Sequence, residues 1–479
     1  MATKKKPHVL LVPHPAQGHV FPMLKLAHKL TDYGISVTVA NLDFIHRKIA
    51  PEETTSKEQQ QGHGTGIRLV SLPDGNGSDF DINDVVKFVE TVHKVLPFQL
   101  RELLIQQQSL TLSNDKEQEF SWVIADAFLS GAFVVAKELG IKTAALWTAA
   151  MENFALMLRI PQLIEAGTID ENGFSTDKEL PISISEEILA WKANELPWSV
   201  QPEERQTVFF NTSYTHPSKH ISLFDHVIVN SFHELEPSAF QLFPNFLPIG
   251  PLVTNSTNSG GSFWRQDETC LTWLDNHPSK SVIYVAFGSI TILSQKQFQE
   301  LALGLELAGR PFLWVIRTNF VQGPPGESGL EFPDGYLERV VNIGKIVEWT
   351  NQERVLSHPS VGCFLSHCGW NSTLEGLWCG VPFLCWPYFL DQFHNKESIC
   401  EAWKVGLKLK AEEDGTVGGL ITMSEIASKV EQLLNDETIK GNANRLKEVA
   451  RGTVNQGGSS FHNFLSFVNQ LRSTDVVCE

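Results

Sequence analysis

"VGCFLSHCGWNSTLEG", residues 361 to 376, is the stretch from which the fold is read. Its first half is a continuous apolar run containing a β-branched residue and an aromatic ring, the composition of a strand covered on both faces. His367, Cys368 and Gly369 break the run. From Asn371–Ser372 the pattern turns helical, opening on two residues favoured where a helix begins. A continuous apolar strand that passes through a short turn into a helix is the unit of a parallel sheet.

The same unit recurs on both sides. The first half offers "HVLLVP" (8–13), "ISVTVAN" (35–41), "IRLVSLP" (67–73), "WVIAD" (122–126), "TAALW" (143–147) and "HVIVNSF" (226–232), with helical patterns between them at 21–32, 84–107 and 130–139. The second half restarts with "SVIYVAF" (281–287), "FLWVIR" (312–317), "GKIVEW" (344–349) and "PFLCWP" (382–387). A Ser-, Asn-, Thr- and Gly-rich stretch, "GPLVTNSTNSGGSFWRQDE" (250–268), separates the halves and reads as an interdomain linker. The 479 residues exceed what one core serves, so two α/β domains are expected, each doubly wound, with a cleft between them. In such sheets ligands bind at the carboxyl ends of the strands.

A net charge of −17 argues against a nucleic-acid or anionic-membrane surface. An anionic ligand would have to be held by local geometry. No run approaches the length of a membrane span, and the five apolar residues near the N-terminus are too few for a signal core. The seven cysteines (270, 363, 368, 379, 385, 400, 478) are scattered, which reads as a reduced cytosolic protein. Cys363, His367, Cys368, Cys379 and Cys385 fit no zinc spacing and are read as small buried hydrophobes.

Two sites remain after the motifs are weighed. In "PHPAQGHVFPML" (13–24), His19 follows a strand end and precedes a helix, and Gly18 lets the backbone approach a ligand. Asp126 ends a strand in the same half. A carboxylate that holds an imidazole sets its tautomer and makes it a general base. Taken singly, His19 is a solvated loop residue and Asp126 a helix cap. The second site is the opening stretch, where a helix N-terminus presents amides and a positive dipole end suited to phosphate. No Lys or Arg lies between Val361 and Gln392, so a diphosphate there would be held by amides, hydroxyls and His367. "DFD" (79–81) is read as helix-capping rather than metal-binding, and "GHGTG" (62–66) precedes a strand, the wrong side for a dinucleotide loop.

Residues 349–392, "WTNQERVLSHPSVGCFLSHCGWNSTLEGLWCGVPFLCWPYFLDQ", resemble without a gap the long signature of plant family 1 UDP-glycosyltransferases. "PAQGH", "YVAFGS" and "GGSS" are similar as well, so the resemblance spans the chain. It implies the GT-B fold: an acceptor domain (1–249), the linker (250–268) and a UDP-sugar domain (269–479), with the last helix (about 459–472) returning to the first. Trp349 matches the indole that stacks on uracil, Thr350 and Gln352 the other base contacts, and Glu375 the ribose carboxylate. His367, Asn371, Ser372 and Ser289 match diphosphate contacts. Trp370, Asp391 and Gln392 match sugar contacts, with Thr148 reaching the donor from the first domain; a terminal Gln tends to accompany glucose. Phe128 and Phe389 match acceptor-pocket positions.

The implied reaction is an inverting displacement. His19, supported by Asp126, deprotonates an acceptor hydroxyl that attacks UDP-glucose, giving a β-glucoside, while the helix start and His367 neutralise the departing diphosphate. UDP-glucose is then a co-substrate, no cofactor is permanently bound, and no metal is expected. The partners expected are the sugar donor and an apolar aglycone, with no nucleic acid and no membrane span, for a cytoplasmic monomer. Thirty Phe against five Tyr favour an apolar aglycone, with phenolics, flavonoids, terpenoids and steroids all open. The rival readings are a catalytically silent UDP-sugar binder, a UDP-sugar epimerase or hydrolase on the same fold, and a nicotinamide oxidoreductase.

Overall fold

The fold is given by a computed structural model that describes residues 7–49, 66–75, 85–111, 119–199, 203–253, 266–321, 329–412 and 419–473. The chain divides into two compact units. The first comprises residues 1–194, 198–263 and 453–479, and the second residues 195–197 and 264–452.

The first unit contains β1 (His8–Val12), β2 (Ser36–Leu42), β3 (Ile67–Leu72), β4 (Trp122–Asp126), β5 (Lys142–Trp147), β6 (His226–Val229) and β7 (Leu247–Pro248), in the order β3-β2-β1-β4-β5-β6-β7. Every pairing is parallel. The chain winds outward from β1 to one edge and then from β4 to the other, so the order reverses between β1 and β4. Central strands are buried along nearly their whole length, as the apolar runs require when helices cover both faces. The helix Ser459–Arg472, the last among the described residues, packs on this unit. Asn463 Nδ2 donates to the Pro248 carbonyl at 3.0 Å, and Phe464 meets Tyr33 edge-on at 5.3 Å.

The second unit repeats the plan with β8 (Val282–Ala286), β9 (Phe312–Val315), β10 (Gly344–Val347), β11 (Val361–Ser366), β12 (Phe383–Cys385) and β13 (Gly406–Lys408), ordered β10-β9-β8-β11-β12-β13 and again parallel. Its order reverses between β8 and β11. Its core gathers Ile283, Val285, Phe298, Phe312, Trp314 and Leu365. Cys363, Cys368, Cys379 and Cys385 are buried, and burial pushes the Cys363 and Cys379 thiols up to about 12, so these behave as apolar groups.

Local differences from the sequence reading have physical causes. The expected helix over 84–107 is two helices, Val85–Glu90 and Leu96–Thr111, joined by a π-helical turn at Thr91–Val95. Pro97 lacks the N–H that residue 93 would need for its i+4 bond, and the wider turn absorbs the defect. A second π-helical turn, Phe210–Thr215, precedes Pro217 in the same way. The helix after β11 starts at Trp370 with Gly369 as its cap, one residue earlier than expected, so Asn371 and Ser372 lie in its first turn. His19 likewise sits inside the first turn of the helix Gln17–Asp32 rather than before it. β7 and β13 are too short to show a periodicity. "DFD" (79–81), most of the stretch 51–66 and all but the ends of the linker 250–268 lie outside the described residues.

Candidate active site

The strand-order reversal in the first unit sets β1 beside β4, with Val12 opposite Ala125. Residues just past the two strand ends are therefore brought together. His19 Nδ1 lies 2.7 Å from Asp126 Oδ2, although the residues are 107 apart in sequence. Asp126 is 1% exposed, while the His19 side chain keeps 22% of its surface open. The other carboxylate oxygen, Oδ1, accepts the Phe128 amide at 3.1 Å. Two donors thus fix a buried acceptor, which requires Nδ1 to carry the proton and leaves Nε2 with its lone pair. Thr148, at the end of β5, places Oγ1 3.0 Å from the same Nδ1. The resemblance implied that Thr148 reaches a donor; within its own unit it is a second contact of His19. Gly18 is in the helix, with ordinary rather than left-handed backbone.

Aromatic rings surround this pair. Phe128 meets His19 edge-on at 5.7 Å and packs against Trp147 and Tyr214. His14, which the sequence reading passed over, lies 4.9 Å from His19, ring to ring, and 5.6 Å from Phe88. Burial, followed by the neighbouring His19, lowers the His14 pKa to about 3, so it is a neutral hydrogen-bonding group. Its Nδ1 is buried without a partner.

The reversal in the second unit sets β8 beside β11 and brings Gly288, which precedes Ser289, against His367. Gly288 has φ +69°, and a Cβ there would come 2.6 Å from His367 Nε2; one on Gly369 would come to 2.5 Å. Two glycines thus clasp the imidazole. Burial lowers its pKa to about 4, with the Arg317 charge pushing the same way against a hydrogen bond to the Ala286 backbone. His367 is consequently neutral near pH 7, which corrects the expectation that it neutralises charge: it can offer an N–H but not a positive charge. Cys368 holds a left-handed backbone (φ 63°) at the turn, and its amide donates to Ser366 Oγ.

The helix Trp370–Cys379 then begins under Gly369, which supplies no capping side chain. Trp370 is buried, its indole 6.3 Å from that of Trp403, and it is the first residue of the helix. Gln352 links the neighbouring loop to this helix. Its Nε2 donates to Ser372 Oγ (2.8 Å) and to Glu375 Oε2 (2.7 Å), and its Oε1 accepts from the Tyr284 hydroxyl at 3.2 Å. Gln352, expected at a base, is thus engaged inside the unit and orients Ser372 and Glu375. Tyr284 also bonds Thr350 Oγ1 at 3.0 Å, and burial raises its pKa, which keeps it a neutral donor. Trp349 is half-buried beside them.

Asp391 and Gln392 stand at the start of the helix Gln392–Glu397. Gln392 Oε1 accepts the amides of Tyr388 and Phe389, which leaves its Nε2 as the group to offer. Asn395, not singled out from the sequence, donates from Nδ2 to the Cys368 carbonyl and to Asp391 Oδ2, both at 2.9 Å, tying this helix to the turn after β11. Phe389 lies in the second unit and Phe128 in the first. Among the described residues no cluster of three or more His, Cys, Asp or Glu could hold a metal ion, and no helix is long and apolar enough to cross a membrane.

Residues 208–453 match the model of the family described as "UDP-glucoronosyl and UDP-glucosyl transferase". The chain is 37% identical to UDP-glycosyltransferase 83A1 of Arabidopsis thaliana over 98% of its own length and 97% of that protein. It is 32% identical to 7-deoxyloganetin glucosyltransferase of Catharanthus roseus over 98% and 97% of the two chains. Among solved structures it resembles Os79 from O. sativa in complex with UDP, with a TM-score of 0.79, 25% identity and coverage of 97% and 100%. It also resembles Phytolacca americana UGT2 complexed with UDP-2fluoro-glucose and pterostilbene, with a TM-score of 0.78, 26% identity and coverage of 98% and 100%.

Proposed function

The chain belongs to the UDP-glucoronosyl and UDP-glucosyl transferase family, as a UDP-dependent glycosyltransferase of the GT-B fold, and on that premise we propose that it is an inverting glucosyltransferase acting on a hydroxyl of a small apolar aglycone. The observation that carries the reading is the 2.7 Å bond from the part-open His19 to the buried Asp126. A silent binder would have no use for an imidazole held in the base tautomer by a buried carboxylate.

In this reading His19 Nε2 takes the acceptor proton as the acceptor oxygen attacks the anomeric carbon of UDP-glucose. The bond to the diphosphate breaks, inversion gives a β-glucoside, and Asp126 stabilises the imidazolium until the proton is released. Trp349 stacks on uracil, with Thr350 beside it. Glu375, its Oε2 held by Gln352, binds the ribose hydroxyls through its remaining oxygen. Ser289, neutral His367, Asn371, Ser372 and the amides at the helix start bind the diphosphate as donors, which stabilises the leaving group without a metal. Gln392 Nε2 and Asp391 bind sugar hydroxyls. Phe128 and Phe389 contact the acceptor, whose apolar character is supported by the rings around His19 and by the pterostilbene bound to Phytolacca americana UGT2. The reading also takes the protein as a cytoplasmic monomer.

The test is a panel of phenolic, flavonoid, terpenoid and steroid acceptors incubated with UDP-glucose and EDTA, with products read by mass spectrometry. Wild type should form β-glucosides of some member, and His19→Ala should form none while still binding UDP. Near-normal glucoside formation by His19→Ala would refute the base assignment, and a strict need for added Mn²⁺ would refute metal independence.

A further inference from the structure

Between Val361 and Gln392 the chain has no Lys or Arg, yet the fold brings an arginine to the same sheet edge from elsewhere. Arg317 stands just beyond β9, neighbour to β8, and is 3% exposed. Its Nη2 donates to the Thr291 carbonyl at 2.6 Å and its Nη1 to Asn319 Oδ1 at 2.8 Å. Both partners are neutral dipoles. Among the described residues no carboxylate pairs with it, in a chain with 55 acidic residues. Burial alone lowers its pKa, to about 10, so it keeps its charge at neutral pH.

A buried cation without a counter-charge is expensive and persists when something else requires it. What it is fastened to indicates what that is. Thr291 belongs to the loop after β8 that carries Gly288 and Ser289. That loop is also joined to the β9 side by the Leu293 amide on the Phe320 carbonyl at 2.9 Å. The same loop holds Gly288 against His367. Arg317 therefore buckles the Ser289 loop in place and sets a full positive charge behind a group of neutral donors.

We propose that Arg317 is a positioning residue for the donor diphosphate: it fixes the Ser289 loop through the Thr291 carbonyl, and its side-chain-uncompensated charge makes that edge of the second unit attractive to a dianion. The proposal rests on the donor site described under the proposed function. It assigns no contact between Arg317 and substrate.

Titration calorimetry of the full chain with UDP and with uridine tests it, because uridine keeps the base and ribose but lacks the diphosphate. Arg317→Gln, which retains an amide donor without the charge, should weaken UDP binding at least tenfold and leave uridine within twofold. Asn319→Asp supplies the missing counter-charge at an exposed position already bonded to Nη1 and leaves Arg317 itself in place. It should weaken UDP several-fold, leave uridine unchanged and raise the melting temperature, so it decides the matter even where Arg317→Gln does not fold. Unchanged UDP affinity in a folded variant, or a parallel loss of UDP and uridine, would overturn the proposal, the second showing Arg317 to be scaffold only. Wild type that bound UDP no better than uridine would overturn the donor-site reading itself, a different outcome from wild type and Arg317→Gln preferring UDP equally.

Discussion

Replacing Asp126 by asparagine is the most searching perturbation of the proposed base, because both carboxylate oxygens are already committed. Oδ2 accepts from His19 Nδ1 at 2.7 Å and Oδ1 accepts the Phe128 amide at 3.1 Å. Asparagine has one acceptor. The Phe128 N–H belongs to the backbone and cannot reverse, so the amide oxygen goes there and the NH₂ group faces Nδ1. Nδ1 must then accept, the proton moves to Nε2, and the nitrogen that should take the acceptor's proton has no lone pair. The charge is lost as well. Unit charges about 4 Å apart at an effective dielectric near 20 attract by about 4 kcal/mol, the stabilisation withdrawn from the imidazolium. At about 1.36 kcal/mol per factor of ten, this corresponds to roughly a thousandfold in kcat. Thr148 Oγ1, 3.0 Å from Nδ1, is neutral and does not replace the charge. The assay is steady-state glucoside formation at saturating UDP-glucose, with UDP affinity and thermal melting as controls. A folded Asp126→Asn enzyme that kept more than a tenth of wild-type kcat would refute both the tautomer and the charge argument.

Three further outcomes are expected. Gly288→Ala should raise the donor KM more than tenfold and cost about 1–2 kcal/mol of stability by chemical denaturation, since its Cβ meets His367 Nε2 at 2.6 Å and its φ of +69° disfavours a side chain. Trp349→Ala should weaken UDP binding by about 1–3 kcal/mol, the range for a base stacked on an aromatic ring, whereas an unchanged Kd would remove Trp349 from the site. Glu236 is buried, accepts the Glu152 amide at 3.0 Å and bonds Ser231, and burial together with the Glu152 charge raises its pKa to about 8. Its folded pKa exceeds its unfolded value, so its stabilising effect is complete below about pH 4.5 and fades as pH rises to about 8, by at most about 1.4 kcal/mol per pH unit. Glu236→Gln, which copies the neutral acid, should melt higher than wild type at pH 8 and no higher at pH 4.5; equal melting at pH 8 would count against a protonated Glu236.

Much of the site was legible because parallel sheets place ligand-facing residues just past their strand ends, and strand ends show in sequence as the point where an apolar run stops. His19, Asp126 and His367 were found that way, whereas Ser289 entered only through the resemblance of "YVAFGS". Roles that depend on which atoms are already engaged were not legible. Gln352 and Gln392 have the composition of ligand contacts, yet their Oε1 atoms bind Tyr284 and backbone amides. Trp370 stands at the right position with its indole buried. His367 looked like a charge and is neutral, because two glycines, one distant in sequence and one nearby, close around the ring. The π-helical turns before Pro97 and Pro217 could have been anticipated, since proline removes a specific donor.

By itself the sequence determined the alternation of buried strands and helices, hence two parallel sheets, and through strand ends and helix starts it determined the residue types available for acid–base and phosphate chemistry. Periodicity and capping are local, and a chain carries them in its order. Only the tertiary structure decided that β1 neighbours β4 and β8 neighbours β11, which pairs His19 with Asp126 and Gly288 with His367. It also delivered Arg317, which lies outside residues 361–392, to the loop that holds Ser289. These pairings, like the loss of water around each group, depend on where the chain returns in space, and burial and hydrogen-bond occupancy exist only after it has.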